Sequence, residues 1–525
     1  MKMITALITS SFFISTNAMA QSVPPWVSYQ STGNPFDMVR SAGTSDSVAA
    51  WMGKKVDVTG GTSTGQTINT PSITGGSASN TNITNSVITA NSATFPRSLG
   101  EIKGTYLQPQ DFLLSGQTTD QLVSGQIDAE PSIEAAMEAG KSVILPCGTY
   151  RLDQPFPKWS TNGFRLSGAN TECVKLNINY SITDGSINVF SLTGQGQVIS
   201  NLTINATQHM TAGSMILLNS ASQEHIHDLI VTGPFWNVIY LYASNNVHLD
   251  HIYARPPYLP TETIPNPQDG AGYSGGSVIS LDGDSSTGKI NIDTYISDIN
   301  SSQYKYGISF IYSSGVYLSN IDVVGALNAF LFSPGSGQNV NGMHFVNALG
   351  DTSYGANWYF PNSGGGVYEF MCASCWASSS YSDAGIAILN PNVSQMNWSN
   401  STAVNNTKSG VYISSGFSIG WDGGAIEMNN TGLGGAATNN PDVYISADTG
   451  TLDWIRIQSS FIGQAGIMKF QNGKTNQATY AIDLSSVPAT SHISISGLQT
   501  YGHSSGQFNL PSNVANILNT NNQGN

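Results

Sequence analysis

The sequence predicts an all-β fold, a parallel β-helix, and two repeating patterns carry this prediction. The first is a six-residue motif: an aliphatic residue, two mostly polar residues, a second aliphatic, one variable residue, and an aliphatic or aromatic residue. Between about Phe164 and Leu498 it recurs mostly at steps of 22–28 residues, in copies that begin at Ile199, Ile226, Leu249, Ile296, Leu318, Val340, Tyr368, Val393 and Leu452. The second is a short aliphatic run about ten residues ahead of most copies, for example at 238–242, 278–281, 308–311, 386–389, 411–413 and 443–445.

Short strands with period-two alternation, broken by Gly, Asn, Asp and Ser at a regular spacing, are typical of a repeat architecture. Two or three strands in each repeat fit one coil of a β-helix, which stacks on the next coil at about 4.8 Å. A β-sandwich would show hairpin turns and antiparallel alternation instead of one motif in constant phase. We therefore predict a solenoid.

The bulk composition excludes some partners. Only 10% of the 525 residues are charged, and the formal net charge is -14. A chain this acidic repels phosphates, so we expect no nucleic-acid partner. A densely anionic polymer is also a poor match unless a local basic site compensates.

The N-terminus predicts a signal peptide over residues 1–20. Lys2 gives the positive end, the stretch from Ile4 to Ile14 is mostly apolar, and Ala18-Met-Ala20 is a small-residue cleavage site. No later stretch is long and apolar enough to span a bilayer. We expect a secreted, periplasmic or cell-surface product.

Four further regions follow along the chain. Residues 21–98 are irregular and then rich in Thr, Ser, Gly and Asn, which fits either thin strands shared between chains or a low-complexity linker. Residues 99–163 form a lead-in and capping region, in which Pro131, the pair Ile133 and Met137, and Gly140 predict one short helix over 129–140. Residues 164–510 form the β-helix, and 511–525 form a C-terminal tail.

The four cysteines fall into two pairs. Cys147 and Cys173 are 26 residues apart, about one coil, so a disulfide between neighbouring coils is geometrically possible. Cys372 and Cys375 form C-x-x-C, which a redox pair, half of a zinc site, a structural disulfide or two buried thiols would explain. The absence of a second ligand pair favours the last two interpretations.

The segment Ile133-Glu-Ala-Ala-Met-Glu-Ala-Gly140, followed by Val143-Ile-Leu-Pro-Cys-Gly-Thr-Tyr-Arg151, resembles the start of the pectate-lyase-like single-stranded β-helix superfamily. It is most similar to the bacteriophage tailspike-type polysaccharide depolymerases, and the likeness extends over about residues 54–510. The resemblance implies a right-handed β-helix with a short N-terminal capping helix, often a homotrimer, that grips and usually cleaves a polysaccharide.

Outward side chains at one motif position stack into a column along a β-helix, one for each coil. The second position gives the column Ser200, His227, Asp250, Ser297, Ser319, Asn341 and Glu369. The third position gives the column Asn201, Asp228, His251, Asp298 and Asn320. Two carboxylates that flank an imidazole perturb all three pKa values, as in catalytic sites. A hydrogen-bonded polar column at a turn is the structural alternative.

The long step between Leu249 and Ile296 contains an insertion, Arg255 to Gly276, with five prolines and with Tyr258 and Tyr273. Insertions in solenoids project on one face and often build the binding site. We interpret this one either as the wall of a groove or as a tolerated insertion.

Asp282 and Asp284 end the strand that follows this insertion. If the strand continues through both, they lie about 6.5–7 Å apart, within the range of carboxylate pairs in glycosidases. One carboxyl would protonate the leaving oxygen and the other would attack or activate water. An Asp-rich turn capped by its own side chains is the alternative.

Tyrosines occupy mostly outward positions in the strands ahead of the motif. Amphipathic rings can stack on sugar faces while their hydroxyls bond sugar hydroxyls, although packing under a loop or at a trimer contact would place them equally well. The column consists of Tyr240, Tyr242, Tyr359, Tyr412 and Tyr444.

From these features we predict a secreted depolymerase that cleaves glycosidic bonds of an extracellular or capsular polysaccharide. Hydrolysis is favoured over β-elimination because basic residues are scarce. The alternative is a non-catalytic surface β-helix that binds polysaccharide or mediates adhesion. The candidate catalytic residues are Asp250, Asp282, Asp284, His251, Asp228 and Asp298. The candidate substrate-binding residues are Arg255, Tyr258, Tyr240, Tyr242, Tyr273 and Lys305. No metal or other cofactor is expected, and the chain is a candidate homotrimer.

Overall fold

A computed structural model describes residues 67–68, 82–83, 106–140, 142–255, 258–259, 273, 275–431, 439–463, 478–511 and 517–524. The chain divides into two compact units, residues 1–92 with 96–99 and residues 93–95 with 100–525. In the first unit two short strands pair in parallel, with Thr67 opposite Asn82 and Ile68 opposite Ile83. The predicted signal peptide and most of the segment 21–98 lie outside the described residues.

The second unit begins with three short helical segments, a 3-10 helix (Pro109–Phe112), α1 (Thr119–Val123) and α2 (Glu130–Ala139). Among the described residues the strands in chain order, from the first unit into the second, are β1 (Thr67–Ile68), β2 (Asn82–Ile83), β3 (Ser142–Leu145), β4 (Gly148–Leu152), β5 (Lys158–Trp159), β6 (Arg165–Gly168), β7 (Val174–Ile178), β8 (Asn188–Leu192), β9 (Val198–Ala206), β10 (Ser214–Asn219), β11 (His225–Thr232), β12 (Asn237–Tyr242), β13 (His248–Ala254), β14 (Ser277–Asp282), β15 (Asn291–Ser302), β16 (Tyr306–Phe310), β17 (Ser313–Val324), β18 (Asn328–Phe332) and β19 (Asn339–Asp351). They continue as β20 (Trp358–Phe360), β21 (Gly366–Ala373), β22 (Trp376–Ser378), β23 (Ile386–Ile388), β24 (Val393–Ser399), β25 (Thr402–Val404), β26 (Val411–Ile413), β27 (Gly416–Asp422), β28 (Ala425–Glu427), β29 (Val443–Ser446), β30 (Leu452–Gln458), β31 (Phe461–Gly463), β32 (Tyr480–Ser486), β33 (Ile493–Ser496), β34 (Gln499–Tyr501), β35 (Gly506–Asn509), β36 (Ile517–Thr520) and β37 (Gln523–Gly524).

The strands of the second unit form two sheets that run along the whole coil. Sheet A contains 13 strands, one from each successive coil, in the order β35-β32-β29-β26-β23-β20-β18-β16-β14-β12-β10-β8-β5. The remaining strands form sheet B, which wraps around the other sides of each coil, and every pairing between named strands is parallel. The predicted right-handed parallel β-helix is therefore confirmed. Parallel pairing begins at β3 and reaches β37, so it extends beyond the predicted range 164–510 at both ends.

Inward side chains stack from coil to coil into one continuous core. Ile199, Ile226 and Leu249 occupy the same position on three successive coils and are fully or almost fully buried. Further along, the rings of Phe310, Phe332 and Phe360 stack with centroids 4.6 and 4.2 Å apart. Burial of one such side chain stabilises the fold by about 1.5–3 kcal/mol. A single coil cannot bury its apolar side chains by itself, so this stabilisation requires neighbouring coils.

Helix α2 caps the N-terminal end of this core, as the sequence predicts. Ile133 and Ala136 are buried together with Leu122 of α1 in the same apolar cluster as the first coils. Gly140 follows the last helical residue, Ala139. The cap region covers the edge of the first coil, whose strands would otherwise offer unpaired backbone groups for association.

Sheet B bends at two corners, each marked by a column of residues with left-handed backbone. Corner 1 contains Asn201, Asp228, His251, Asp298 and Asn320, all with φ between 51° and 58°. Asn, Asp and His are the non-glycine residues that tolerate this conformation best. The predicted third column is thus confirmed as a set of successive corner residues. Corner 2 contains, among others, Gly315, Gly342, Glu369, Gln395, Ser418 and Trp454.

The predicted second column is correct only up to Ser319. Val346, not Asn341, lies opposite Ser319 on the next coil. Asn341 pairs with Ser314 beside corner 2, and Glu369 is itself a corner 2 residue. The motif copy at Val340 therefore belongs to a different corner from the copy at Leu318.

Both cysteine pairs are disulfides. Cys147 and Cys173 join neighbouring coils, since Gly148 pairs with Val174 directly after them. Cys372 and Cys375 join the two sides of a bend between β21 and β22. Both cysteines are buried, as the interpretation as a structural disulfide expects.

Candidate functional site

Six ionisable side chains from three successive coils meet on the outer surface of sheet B at corner 1. We call them the imidazole–carboxylate cluster: His225, His227 and Asp228 on β11, Asp250 and His251 on β13, and Asp298 on β15. The parallel register explains their proximity, because His227 lies opposite Asp250 and His225 lies opposite His248.

Asp250 is the centre of this cluster. Its Oδ2 lies 2.5 Å from His225 Nε2, and its Oδ1 lies 2.7 Å from His251 Nδ1. On the far side of His251, the Nε2 atom lies 3.9 Å from Asp298 Oδ2. One carboxylate is thus held between two imidazoles, one of which reaches toward a second carboxylate.

A second pair stands beside this chain. His227 Nδ1 lies 2.7 Å from Asp228 Oδ2. The rings of His225 and His227 are 4.1 Å apart, because residues two apart on a strand point to the same side. All six members are at least partly accessible to solvent.

The contacts separate the protonation states of Asp250 and His251. Partial burial acts to raise the pKa of Asp250, but the hydrogen bonds from His251 and His225 outweigh it and hold that pKa below its usual value. The hydrogen bond to Asp250 raises the pKa of His251, and the charges of Asp250, Asp298 and Asp228 add to this effect. Asp250 is therefore an ionised base near neutral pH, and His251 holds its proton to a higher pH than an isolated imidazole.

An aromatic ladder continues from the cluster along the same face. The ladder consists of His248, Tyr295, Tyr317 and His344, which occupy one register position on four successive coils. Their rings stack nearly parallel, with centroids 4.7, 5.1 and 5.0 Å apart. His248 and both tyrosines are exposed.

A groove of about 360 Å³ runs beside the ladder. The ladder forms one wall, and the residues two positions further along each strand form the other: Asp250, Ser297, Ser319 and Val346. The backbone around Leu249, Ile296 and Leu318 forms the floor, since these side chains point into the core. The groove thus offers tyrosine hydroxyls, imidazoles, serine hydroxyls and one carboxylate to a ligand that lies along the coil axis.

A second groove of about 620 Å³ lies further along the same face, beside corner 2. The exposed ring of Trp454 stacks on His492 at 4.7 Å, and His492 Nδ1 bonds Asp453 Oδ1 at 2.8 Å. Arg456 donates from Nη2 to Asn397 Oδ1 at 3.3 Å. This groove combines one open aromatic ring with one cation.

Asp282 and Asp284, the predicted carboxylate pair, lie with Tyr240 and Tyr242 at strands of sheet A rather than with Asp250. Asp282 Oδ2 accepts the Tyr240 hydroxyl at 2.9 Å, and Asp282 Oδ1 accepts the Gly283 N–H at 2.7 Å. Burial together with Asp282 raises the pKa of Tyr240. Tyr242 lies directly opposite Asp282 on the neighbouring coil.

Asp284 caps its own turn, as in the alternative interpretation of its sequence. Its Oδ1 accepts the N–H and hydroxyl of Ser286, and its Oδ2 accepts the Thr287 hydroxyl. These hydrogen bonds lower the pKa of Asp284. Asp284 lies apart from Asp250, because it follows β14 of sheet A whereas Asp250 lies on β13 of sheet B.

Three of the four remaining candidates have their described contacts outside the cluster. Arg255 follows β13 and its guanidinium lies 5.2 Å from the ring centre of Tyr253. Tyr273 donates its hydroxyl to the Ala326 carbonyl at 3.1 Å. Lys305 lies over the ring of Tyr306, in the turn before sheet A. Tyr258 is half-buried, and most of the proline-rich insertion around it lies outside the described residues.

Sequence reasoning missed the ladder and one member of the cluster. His225, His248, Tyr295 and Tyr317 each directly precede the first aliphatic residue of a motif copy. Alternation makes this position outward, so a third column read one residue ahead of the motif would have identified them.

Comparison with solved structures finds other parallel β-helix proteins. Tailspike protein 3 of bacteriophage CBA120 matches at 10% identity and a TM-score of 0.50, over 81% of this chain and 63% of that chain. The A-module of mannuronan C-5 epimerase AlgE6 from Azotobacter vinelandii matches at 13% identity and a TM-score of 0.48, over 80% of this chain and 99% of that chain. The catalytic domain of a GH87 α-1,3-glucanase matches at 11% identity and a TM-score of 0.41, over 79% of this chain and 68% of that chain.

The protein is therefore a parallel β-helix protein, and its resemblance to the tailspike-type proteins is confirmed at the level of fold. No protein-family model and no curated protein matches the sequence. Among the residues that the structure describes, no helix is long and apolar enough to cross a membrane.

Proposed function

We propose that the protein binds a polysaccharide along the groove of sheet B and cleaves its glycosidic bonds. The observation that carries this proposal is the continuity of a stacked, exposed aromatic ladder with an ionised carboxylate hydrogen-bonded to an imidazole. Amphipathic rings and hydroxyls suit the mixed surface of a sugar chain, and a groove open along the coil axis admits a polymer.

In the proposed reaction Asp250 acts as the base and His251 as the proton donor. The lowered pKa keeps Asp250 ionised, so it can take a proton from a water molecule whose oxygen attacks the anomeric carbon. The raised pKa of His251 keeps the imidazole protonated, and because its Nδ1 is bonded to Asp250, its Nε2 gives the proton to the leaving oxygen as the glycosidic bond breaks. Asp298, 3.9 Å from His251, supports the imidazolium charge.

Hydrolysis is favoured over β-elimination within this proposal. β-Elimination acts beside a sugar carboxylate, whose charge a basic side chain or a metal ion must neutralise. Among the described residues, those that line the first groove include no Lys or Arg, so the side chains alone do not supply this charge. A neutral sugar at the reacting position fits this groove and the acidic chain better.

We also propose that the protein acts outside the cytoplasm. Its N-terminal sequence supports this location, and so do two disulfides, which persist in oxidising compartments. The homotrimer stays a prediction, which light scattering of the purified protein would test.

The test is cleavage of a panel of bacterial exopolysaccharides, monitored by new reducing ends and by the absorbance of unsaturated uronate. We expect reducing ends without that absorbance, and loss of cleavage in Asp250→Asn. Asp284→Asn is the matched control, because it removes a carboxylate that caps a turn on sheet A, and it should cleave normally. New absorbance of unsaturated uronate would show that the protein cleaves by β-elimination and not by hydrolysis. Binding without any cleavage would show that it is a non-catalytic polysaccharide-binding protein.

A further inference from the structure

We propose that His225, His227 and Asp250 form a binding site for one divalent transition-metal ion, at the end of the first groove. This inference goes beyond the proposed function, and metal binding can occur whether or not the protein cleaves a polysaccharide. It replaces the expectation of a metal-free protein.

The three side chains supply converging ligand atoms. One ligand atom from each lies within 4.8 Å of the other two. His225 and His227 point to the same side of β11, and Asp250 lies opposite His227 on the neighbouring coil. Nitrogen and oxygen ligands lie about 2.0–2.2 Å from zinc, so small rotations of these accessible side chains bring all three atoms onto one ion.

Two neighbouring groups orient the ligands, as in metalloproteins generally. Asp228 bonds Nδ1 of His227 at 2.7 Å, which leaves Nε2 of that ring as the ligand nitrogen. His251 bonds Oδ1 of Asp250 at 2.7 Å, which leaves Oδ2 directed at His225 Nε2. These outer contacts distinguish the site from three side chains that merely lie near one another.

The ligand chemistry selects the class of ion. Two imidazoles and one carboxylate suit zinc and its transition-metal neighbours, whereas calcium and magnesium prefer oxygen ligands alone. The ion would replace the hydrogen bond between His225 Nε2 and Asp250 Oδ2, and the proton of that bond would pass to solvent. The side chains of His225, His227 and Asp250 are 44%, 23% and 23% exposed, so water can complete the coordination shell.

One consequence does rest on the proposed function. An ion on Asp250 Oδ2 would leave the Oδ1 contact with His251 intact. It would lower the pKa of a coordinated water molecule, so that hydroxide would be available near neutral pH at the end of the groove.

The experiment is titration of chelator-treated, full-length protein with Zn²⁺ by calorimetry, and with Co²⁺ by visible absorption. We expect one site per chain and a cobalt spectrum typical of mixed nitrogen and oxygen ligands. His227→Gln and His225→Gln should each abolish binding or weaken it by more than tenfold. Asp228→Asn should weaken it by about 10–100-fold through the ligand orientation.

His492→Gln is the matched control, since His492 is also an exposed imidazole bonded to an aspartate, Asp453. Among the described residues, neither of these two belongs to a group of three candidate ligands. Binding in this control should equal that of the wild type. Circular dichroism verifies that each variant is folded. Absence of a stoichiometric site, or equal binding in His227→Gln and His492→Gln, would overturn the proposal, and neither outcome depends on polysaccharide cleavage.

Discussion

Replacement of Tyr317 by alanine tests whether the aromatic ladder binds the polymer. Tyr317 lies in the middle of the ladder, stacked between Tyr295 and His344 at 5.1 and 5.0 Å. Its remaining exposed fraction is 41%, so only that part is available to a ligand. A tyrosine offers about 200 Å² of surface, and 41% of it is about 80 Å². At about 25 cal/mol per Å² this surface contributes about 2 kcal/mol.

Tyr317→Ala should therefore raise the dissociation constant for the polysaccharide by roughly 30-fold. Binding is measured by calorimetry or by retardation in a polysaccharide-containing gel, in the Asp250→Asn background so that the polymer stays intact. The matched control is Tyr444→Ala, because Tyr444 stacks on Tyr412 at 5.3 Å but lies on sheet A. Tyr317→Ala removes two stacking contacts and Tyr444→Ala removes one, so the control matches the kind of contact that is lost. Equal loss of affinity in the two variants would refute the assignment of the ligand to sheet B.

Three further predictions concern protonation and the core. In chelator-treated protein, Asp250→Asn should lower the pKa of His251 toward that of an ordinary imidazole, because the neutral amide no longer stabilises the imidazolium; histidine NMR signals measure this, and an unchanged pKa would contradict the contact. Burial raises the pKa of Glu130 from 4.5 to about 7, so the unfolded state loses this proton first and the wild type should lose stability from about pH 4.5 to pH 7. Glu130→Gln should abolish that dependence. The urea midpoint of this variant minus that of the wild type should therefore rise from about pH 4.5 to pH 7 and stay constant above pH 7. The same difference at all pH values would argue against the raised pKa. Phe332→Ala should cost about 3–5 kcal/mol, because it opens the stack inside the coil, whereas Phe417→Ala, 49% exposed, should change the urea midpoint little; similar shifts in both variants would exclude a stacked core.

The motif identifies the coil well, but it does not distinguish the two corners of sheet B. At either corner one left-handed residue turns outward between two inward aliphatic residues, so both corners produce the same spacing. The copies at Leu318 and Val340 illustrate this, since their left-handed residues are Asn320 at corner 1 and Gly342 at corner 2. Sequence reasoning therefore assigned the fold correctly and shifted one column.

The same limitation explains the partial prediction of the site. The motif groups Asp228, His251 and Asp298 correctly, because they occupy one motif position on successive coils. Alternation indicates that Asp282 points outward, but it does not indicate which of the two sheets carries this residue. The sheet that a residue joins depends on the number of residues in the turns of its coil. This number varies because the insertions between strands differ in length.

The parallel stacking of the coils also acts as a ruler. From His344 in the first groove, two consecutive pairings lead through Met371 to Asn397 in the second groove. At about 4.8 Å for each pairing, the gap between the grooves is about 10 Å. Seven pairings lead from His248 to Arg456, so the two grooves together extend over about 34 Å. An oligosaccharide shorter than the gap can contact only one groove at a time, whereas one that fills both grooves must extend over the full length.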